Sequence, residues 1–153
     1  MSSLENLSHE NRIFPPSPAF AAAANAQESL YEEAKLDRLA FWERQADFLH
    51  WDRKWESVLE WEPPNAKWFL GGKLNASYNC LDRHVLEGRG DRVAFFFEGE
   101  PGDTRRITYA QMLLEVKKAT NALLELGVSA GDRVAIYMPM IPEAAVAMLA
   151  CAR

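Results

Sequence analysis

The sequence predicts an α/β fold in two parts: a helical, partly irregular N-terminal stretch, then the opening strands and helices of a larger domain that is incomplete. Three observations predict it. Beyond residue 75 the patterns run helix, strand, strand, helix, strand, helix, the order of an α/β layer. Before residue 75 the apolar residues fall at helical spacing or cluster as tryptophans, without strand alternation. The last pattern, Ala144–Cys151, is apolar nearly all round, which marks a deeply buried helix.

Residues 1–25 read as a disordered tail: Pro15, Pro16 and Pro18 lead into Ala19–Ala24, and Leu4, Leu7, Ile13, Phe14 and Phe20 follow no period. Ser29 and Glu32 stand at capping-box spacing. Asp37 suits the cap of a second helix, whose Leu39, Trp42, Ala46 and Leu49 share one face. Trp51, Trp55 and Trp61 with Pro63-Pro64 predict an irregular segment anchored by aromatics onto a neighbouring domain. Trp68-Phe69 then forms a short strand or extended piece ending in a turn at Gly71-Gly72.

Asn75–Glu87 is expected to be helical, with Gly88 and Gly90 ending it. Val93–Phe97 and Arg105–Tyr109 are β-rich and are joined by Glu98–Thr104 as an antiparallel hairpin. Thr108 and Gln111 repeat the capping-box spacing. They open a helix with the face Met112, Val116, Ala119, Leu123 and Leu126, closed by Gly127. Ser129–Asp132 is a turn, and Arg133–Met138 reads as a strand covered on both faces. Pro142 fits the first turn of the final helix. A parallel sheet needs another strand after such a crossover helix, so the sheet is expected to be unfinished at Arg153.

Composition narrows the function. The 153 residues fit one domain on the usual scale of about 100–200 residues, but the apolar ending at Ala150-Cys151-Ala152-Arg153 predicts the first edge of something larger. A net charge of −5, without a basic patch, argues against nucleic acid and anionic membranes. The apolar stretches are too short or too interrupted for the roughly 20 residues a membrane span takes. The N-terminus lacks a secretion pattern, so a cytoplasmic, reducing setting is expected. Cys80 and Cys151 cannot make a disulfide scaffold or a closed zinc site.

No catalytic constellation emerges from the residues. Cys80 and His84 stand at i, i+4, a legal pair of metal ligands, yet no second pair exists because His9 and His50 lie in the tail and among tryptophans. A buried thiol and a hydrogen-bonded structural histidine explain them better. Arg89-Gly90-Asp91 reads as a helix-ending turn, and the sequons Asn6-Leu7-Ser8 and Asn75-Ala76-Ser77 are without meaning in a chain that is not secreted. The glycines nowhere form GxGxxG or GxxxxGK[ST], so no phosphate-cradling loop is present. Asp82-Arg83 and Glu143 suit salt bridges. The turn Pro139–Glu143, beyond the last strand, is placed to line a cleft, offering shape more than chemistry.

Several strings together carry a resemblance. Trp68-Phe69-Leu70-Gly71-Gly72-Lys73-Leu74-Asn75 and Asn79-Cys80-Leu81-Asp82-Arg83-His84 resemble the N-terminal region of AMP-forming acetyl-CoA synthetases. So do Gly131-Asp132-Arg133-Val134-Ala135-Ile136-Tyr137-Met138-Pro139-Met140-Ile141-Pro142-Glu143-Ala144 and Met148 through Arg153. Phe41-Trp42 fits as well, and Ile107-Thr108-Tyr109 resembles the first core motif of the adenylate-forming superfamily. The likeness runs from about Ala26 to Arg153.

It implies residues 26–90 as an acetyl-CoA synthetase N-terminal cap and 91–153 as the truncated start of an AMP-binding, adenylate-forming large domain. It implies a full-length ligase that uses ATP, CoA and Mg²⁺ to turn acetate into acetyl-CoA through an acetyl-adenylate. The phosphate loop, the adenine, ribose and CoA contacts and the adenylation lysine lie downstream in the family. No catalytic, cofactor-binding or metal-binding residue is therefore carried over. The fragment is expected to be inactive alone, to bind none of these cofactors, and to need the remainder of the large domain as its packing partner. The alternatives are a non-catalytic interaction or regulatory protein that mimics the cap, and a fragment of a propionyl- or acetoacetyl-CoA synthetase. Unmet apolar surface on the last strand and helix predicts poor solubility.

Overall fold

A computed structural model describes residues 12–153. The chain separates into two compact units, one ending at Arg44 and the other running Gln45–Arg153. The expectations resting on Leu4, Leu7, His9 and the sequon at Asn6 lie outside the described residues.

The first unit is helical. Helix α1, Pro18–Ala23, forms within the stretch expected to lack regular structure. Ser17 supplies the reason: its Oγ accepts from the Phe20 amide at 3.3 Å, Pro18 opens the first turn, and alanines follow. Helix α2, Glu28–Leu36, starts one residue before Ser29, at a Gln27 cap without a side-chain bond, so the capping box expected at Ser29 and Glu32 is not formed. Glu32 instead accepts from Lys35 Nζ at 2.6 Å. Helix α3, Arg38–Ala46, begins where predicted, with the Asp37 carboxylate accepting from the Ala40 amide at 2.9 Å. Arg44 pairs with Glu33, tying α3 to α2.

The second unit opens with a hairpin where an irregular segment was expected. Strands β1, Ser57–Glu62, and β2, Asn65–Leu70, pair antiparallel, with Leu59 opposite Trp68 and Trp61 opposite Ala66. Pro63 and Pro64 were misleading because proline is excluded from strand interiors but suits the turn, where this pair sits with a cis bond. The rings of Trp51, Trp55 and Phe69 pack mutually at 4.9–5.6 Å and support the hairpin's base from within the unit. Gly72 belongs there because a Cβ at that position would lie 2.6 Å from the Trp51 ring.

Residues 76–87 are helical as expected and the helix breaks at Gly88, with φ +79°, but much of the stretch is wound as π turns, over Tyr78–Asp82 and from Val85 up to the break. Asn75 caps it, its Oδ1 accepting from the Tyr78 amide at 2.9 Å. Strands β3, Val93–Glu98, and β4, Thr104–Thr108, form the predicted antiparallel hairpin. Helix α4, Tyr109–Glu125, opens on the predicted box: Gln111 N–H donates to Thr108 Oγ1 at 3.2 Å, and Thr108 N–H to Gln111 Oε1 at 2.9 Å. It closes at Gly127 with φ +85°, where Val128 N–H reaches the Leu123 carbonyl and Gly127 N–H that of Leu124.

Helix α5, Pro142–Ala152, starts at Pro142 as predicted. Of its residues only Pro142 and Ala150 are buried, so the deeply buried helix is corrected to one covered along a single side. The core comprises Leu81, Met112, Leu113, Val116 and Ala150, with Val146 and Leu149 against it. The strand expected over Arg133–Met138 is absent: the segment is exposed, and among the described residues no strand pairs with it. A strand exists only through hydrogen bonds to a neighbour, and local apolar content cannot supply one.

Candidate functional site

The Cys80–His84 pair resolves into two separate environments. Cys80 is exposed, which corrects the expected buried thiol. His84 is half-buried, its ring centroid 5.2 Å from that of Tyr109. Arg89 Nη2 lies 2.7 Å from His84 Nδ1. An arginine only donates, so Nδ1 is the acceptor and carries no proton in this contact. Burial, then the Arg89 and Arg83 charges, hold the imidazole below its ordinary value. The histidine is hydrogen-bonded, as the sequence suggested. Among the described residues no three of His, Cys, Asp and Glu converge in a way that could hold a metal ion.

Of the turn Pro139–Glu143, the residues Pro139, Met140 and Ile141 line a cleft of about 590 Å³, across from Phe97, Asp103 and Arg105. Arg105 stacks 4.6 Å from the Phe97 ring centre. Its Nη1 and Nη2 donate to the two Glu143 oxygens at 2.6 and 3.1 Å. That pairing holds the Glu143 carboxyl below its usual range. Arg105 is thus engaged with Glu143, and the other charged groups lining the cleft are the carboxylates Glu98, Glu100 and Asp103.

The Asp82 carboxylate meets the Arg153 guanidinium in a fork, at 2.7 and 2.9 Å. These side chains are only 11% and 25% exposed. The hydrogen bond from Arg153 depresses the Asp82 carboxyl against the opposing effect of burial. Sequence reading marked Asp82 as a salt-bridge former but had no signal for a partner 71 residues away.

An apolar groove of about 490 Å³ is formed by Leu123 of α4 and Leu126 just past its end, Val134, Ile136 and Met138 of the extended segment, and Ala147 of α5. Tyr137 and Met138 are exposed along it. Asn75, half of a glycosylation sequon, is used as a helix cap, and Arg89 of the Arg-Gly-Asp string pairs with Glu87 at a helix end.

The profile described as acetyl-coenzyme A synthetase N-terminus matches residues 27–80, and the AMP-binding enzyme profile matches 81–153. The acetyl-coenzyme A synthetase of Streptomyces avermitilis is 61% identical across 99% of this chain. The chain belongs to the acetyl-coenzyme A synthetase family. The Mycolicibacterium smegmatis synthetase is 60% identical across the whole chain, and that of Gemmatimonas aurantiaca 53%. The chain spans under a quarter of the length of these synthetases: 23%, 17% and 24%. An acetoacetyl-CoA synthetase structure from Streptomyces lividans superposes with a TM-score of 0.71 at 28% identity. It covers 88% of this chain, and this chain covers 21% of it. The family likeness therefore extends into the first 25 residues, beyond the Ala26 limit read from the sequence.

Proposed function

We propose that this chain is the N-terminal portion of an acetate–CoA ligase, with residues 26–90 as its cap and 91–153 as the start of its AMP-binding domain. The observation that carries this is the roughly 60% identity to acetyl-coenzyme A synthetases over essentially the whole chain. In the full-length protein an acetate oxygen attacks the α-phosphorus of ATP, forming acetyl-adenylate and releasing pyrophosphate. The CoA sulfur then attacks the acetyl carbon, its proton leaves to solvent, and the carbon–oxygen bond to AMP breaks.

These 153 residues contribute scaffold to that chemistry. The apolar groove beside residues 134–138 and the unpaired backbone there support docking against the remainder of the AMP-binding domain. A cytoplasmic setting without nucleic-acid or membrane partners fits the two free cysteines, the net charge of −5, and the absence among described residues of any helix long and apolar enough to cross a membrane.

The 153-residue chain is expected to show no acetate-dependent ATP–pyrophosphate exchange, whereas a chain of the relatives' length shows it. Exchange by the short chain defeats the assignment of a scaffold role. The acetoacetyl-CoA synthetase likeness favours a second reading, a ligase for acetoacetate, more weakly at 28% identity. A longer chain with a higher kcat/KM for acetoacetate than for acetate selects that reading.

A further inference from the structure

Helix α5 carries a forked arginine–carboxylate pair at each end: Arg105 with Glu143 in its first turn, and Arg153 with Asp82 just past its last. The two differ in setting. The first pair is 40% and 51% exposed, so solvent and salt screen it. The second is mostly withdrawn from water, where breaking a pair strands a poorly solvated charge.

Arg153 is held through its backbone as well. Its carbonyl accepts from Asn75 Nδ2 at 3.3 Å. Asn75 caps the helical stretch that contains Asp82, and its own carbonyl accepts from the Asn79 amide at 3.1 Å. Arg153 thus grips residues 75–82 at their start through Asn75 and at their end through Asp82. Asn75 lies in the region matched to the synthetase N-terminus, whereas Asp82 and Arg153 both lie in the AMP-binding region, so the link between the two regions runs through Asn75. α5 is also attached to α4, through the apolar Val146, Leu149 and Ala150 and through the Ala150 carbonyl, which accepts from Thr120 Oγ1 at a long 3.4 Å.

We propose that Arg153 is a latch that makes the last turn of α5 and residues 75–82 open and close as one cooperative unit, joining the two family regions mechanically. The proposal is independent of the ligase activity. Hydrogen exchange of the 153-residue chain, read by mass spectrometry at low micromolar concentration, tests it. The two segments are expected to show matching protection in the native chain. Asp82→Asn and Arg153→Ala lower protection in both by about tenfold while the β3–β4 hairpin is unchanged. The swapped pair Asp82→Arg with Arg153→Asp restores it in both. Loss confined to one segment, or native protections differing by more than about tenfold, overturns the latch. If Arg153→Ala unfolds the chain, Arg153→Lys, which keeps the charge without the fork, decides: parallel loss supports the latch, one-sided loss overturns it.

Discussion

The Asp82 carboxylate receives both arms of the Arg153 guanidinium, at 2.7 and 2.9 Å. The contact joins a π-helical turn early in the second unit to the residue following α5. Its physical consequence is a folded-state carboxyl that ionises more readily than its ordinary value of 3.8.

Stability should therefore depend on acid in a defined window. A depressed carboxyl contributes fully above its unfolded value and loses that contribution as pH falls through the lower folded one. At pH 7 Asp82→Asn is expected to cost about 1–2 kcal/mol, discounted for the exposed part of the pair. The cost should shrink toward zero as the pH falls through the folded value. Urea midpoints measured across that range give the comparison, and an equal cost at neutral and acid pH contradicts it.

The His84 imidazole is depressed in the opposite chemical sense, because burial and arginine charges disfavour its cation. Between its lowered folded pKa and the unfolded 6.5 the unfolded chain binds more protons, so this contribution is complete above 6.5 and declines as pH falls toward the folded value. Following the ring protons by NMR should give a midpoint below 6.5. Arg89→Ala should raise it, and a midpoint unmoved by that change excludes Arg89 as a cause.

The capping box of α4 offers a local test. Thr108→Ala removes the acceptor for the Gln111 amide and should cost about 1 kcal/mol. Thr108→Asp keeps an acceptor and should recover most of it. Denaturant midpoints at constant slope measure both.

A core position on α4 and a surface position just past its end should part sharply. Met112 is 1% exposed, and Met112→Ala is expected to cost about 2–5 kcal/mol. Leu126 lay on the same predicted apolar face but is 81% exposed, and Leu126→Ala should stay within about 0.5 kcal/mol. Comparable losses at both sites would show that the face around Leu126 is covered in solution.

The open groove predicts self-association of the chain. Val134, Ile136, Tyr137 and Met138 present apolar side chains beside unpaired backbone. Light scattering should show particle size rising with concentration, and Tyr137→Lys with Met138→Glu should reduce it. A concentration-independent monomer contradicts the expectation.

Much of the local architecture was legible because its causes lie within a few residues. Thr108 and Gln111 form their box, Asp37 caps α3, Gly127 ends α4 and Pro142 opens α5. Where local signals misled, a longer-range partner was present or missing. Pro63-Pro64 looked irregular because the pairing of β1 with β2 on either side was invisible. Residues 133–138 looked like a strand because their composition suits one, yet pairing needs a neighbour. Cys80 looked buried because its face was drawn on an α-helix, and the π turns alter which residues share a face.

The sequence by itself determined the family, the helix boundaries set by caps and prolines, and the β3–β4 hairpin, since each depends on neighbours in the chain. The tertiary structure alone decided that Asn79 holds the backbone of His50 at 2.7 and 2.9 Å, that Trp51, Trp55 and Phe69 form one cluster, and that Asp82 meets Arg153. Those contacts join residues far apart in sequence, and the packing of α5 along α4 is what brings Arg153 within reach of Asp82.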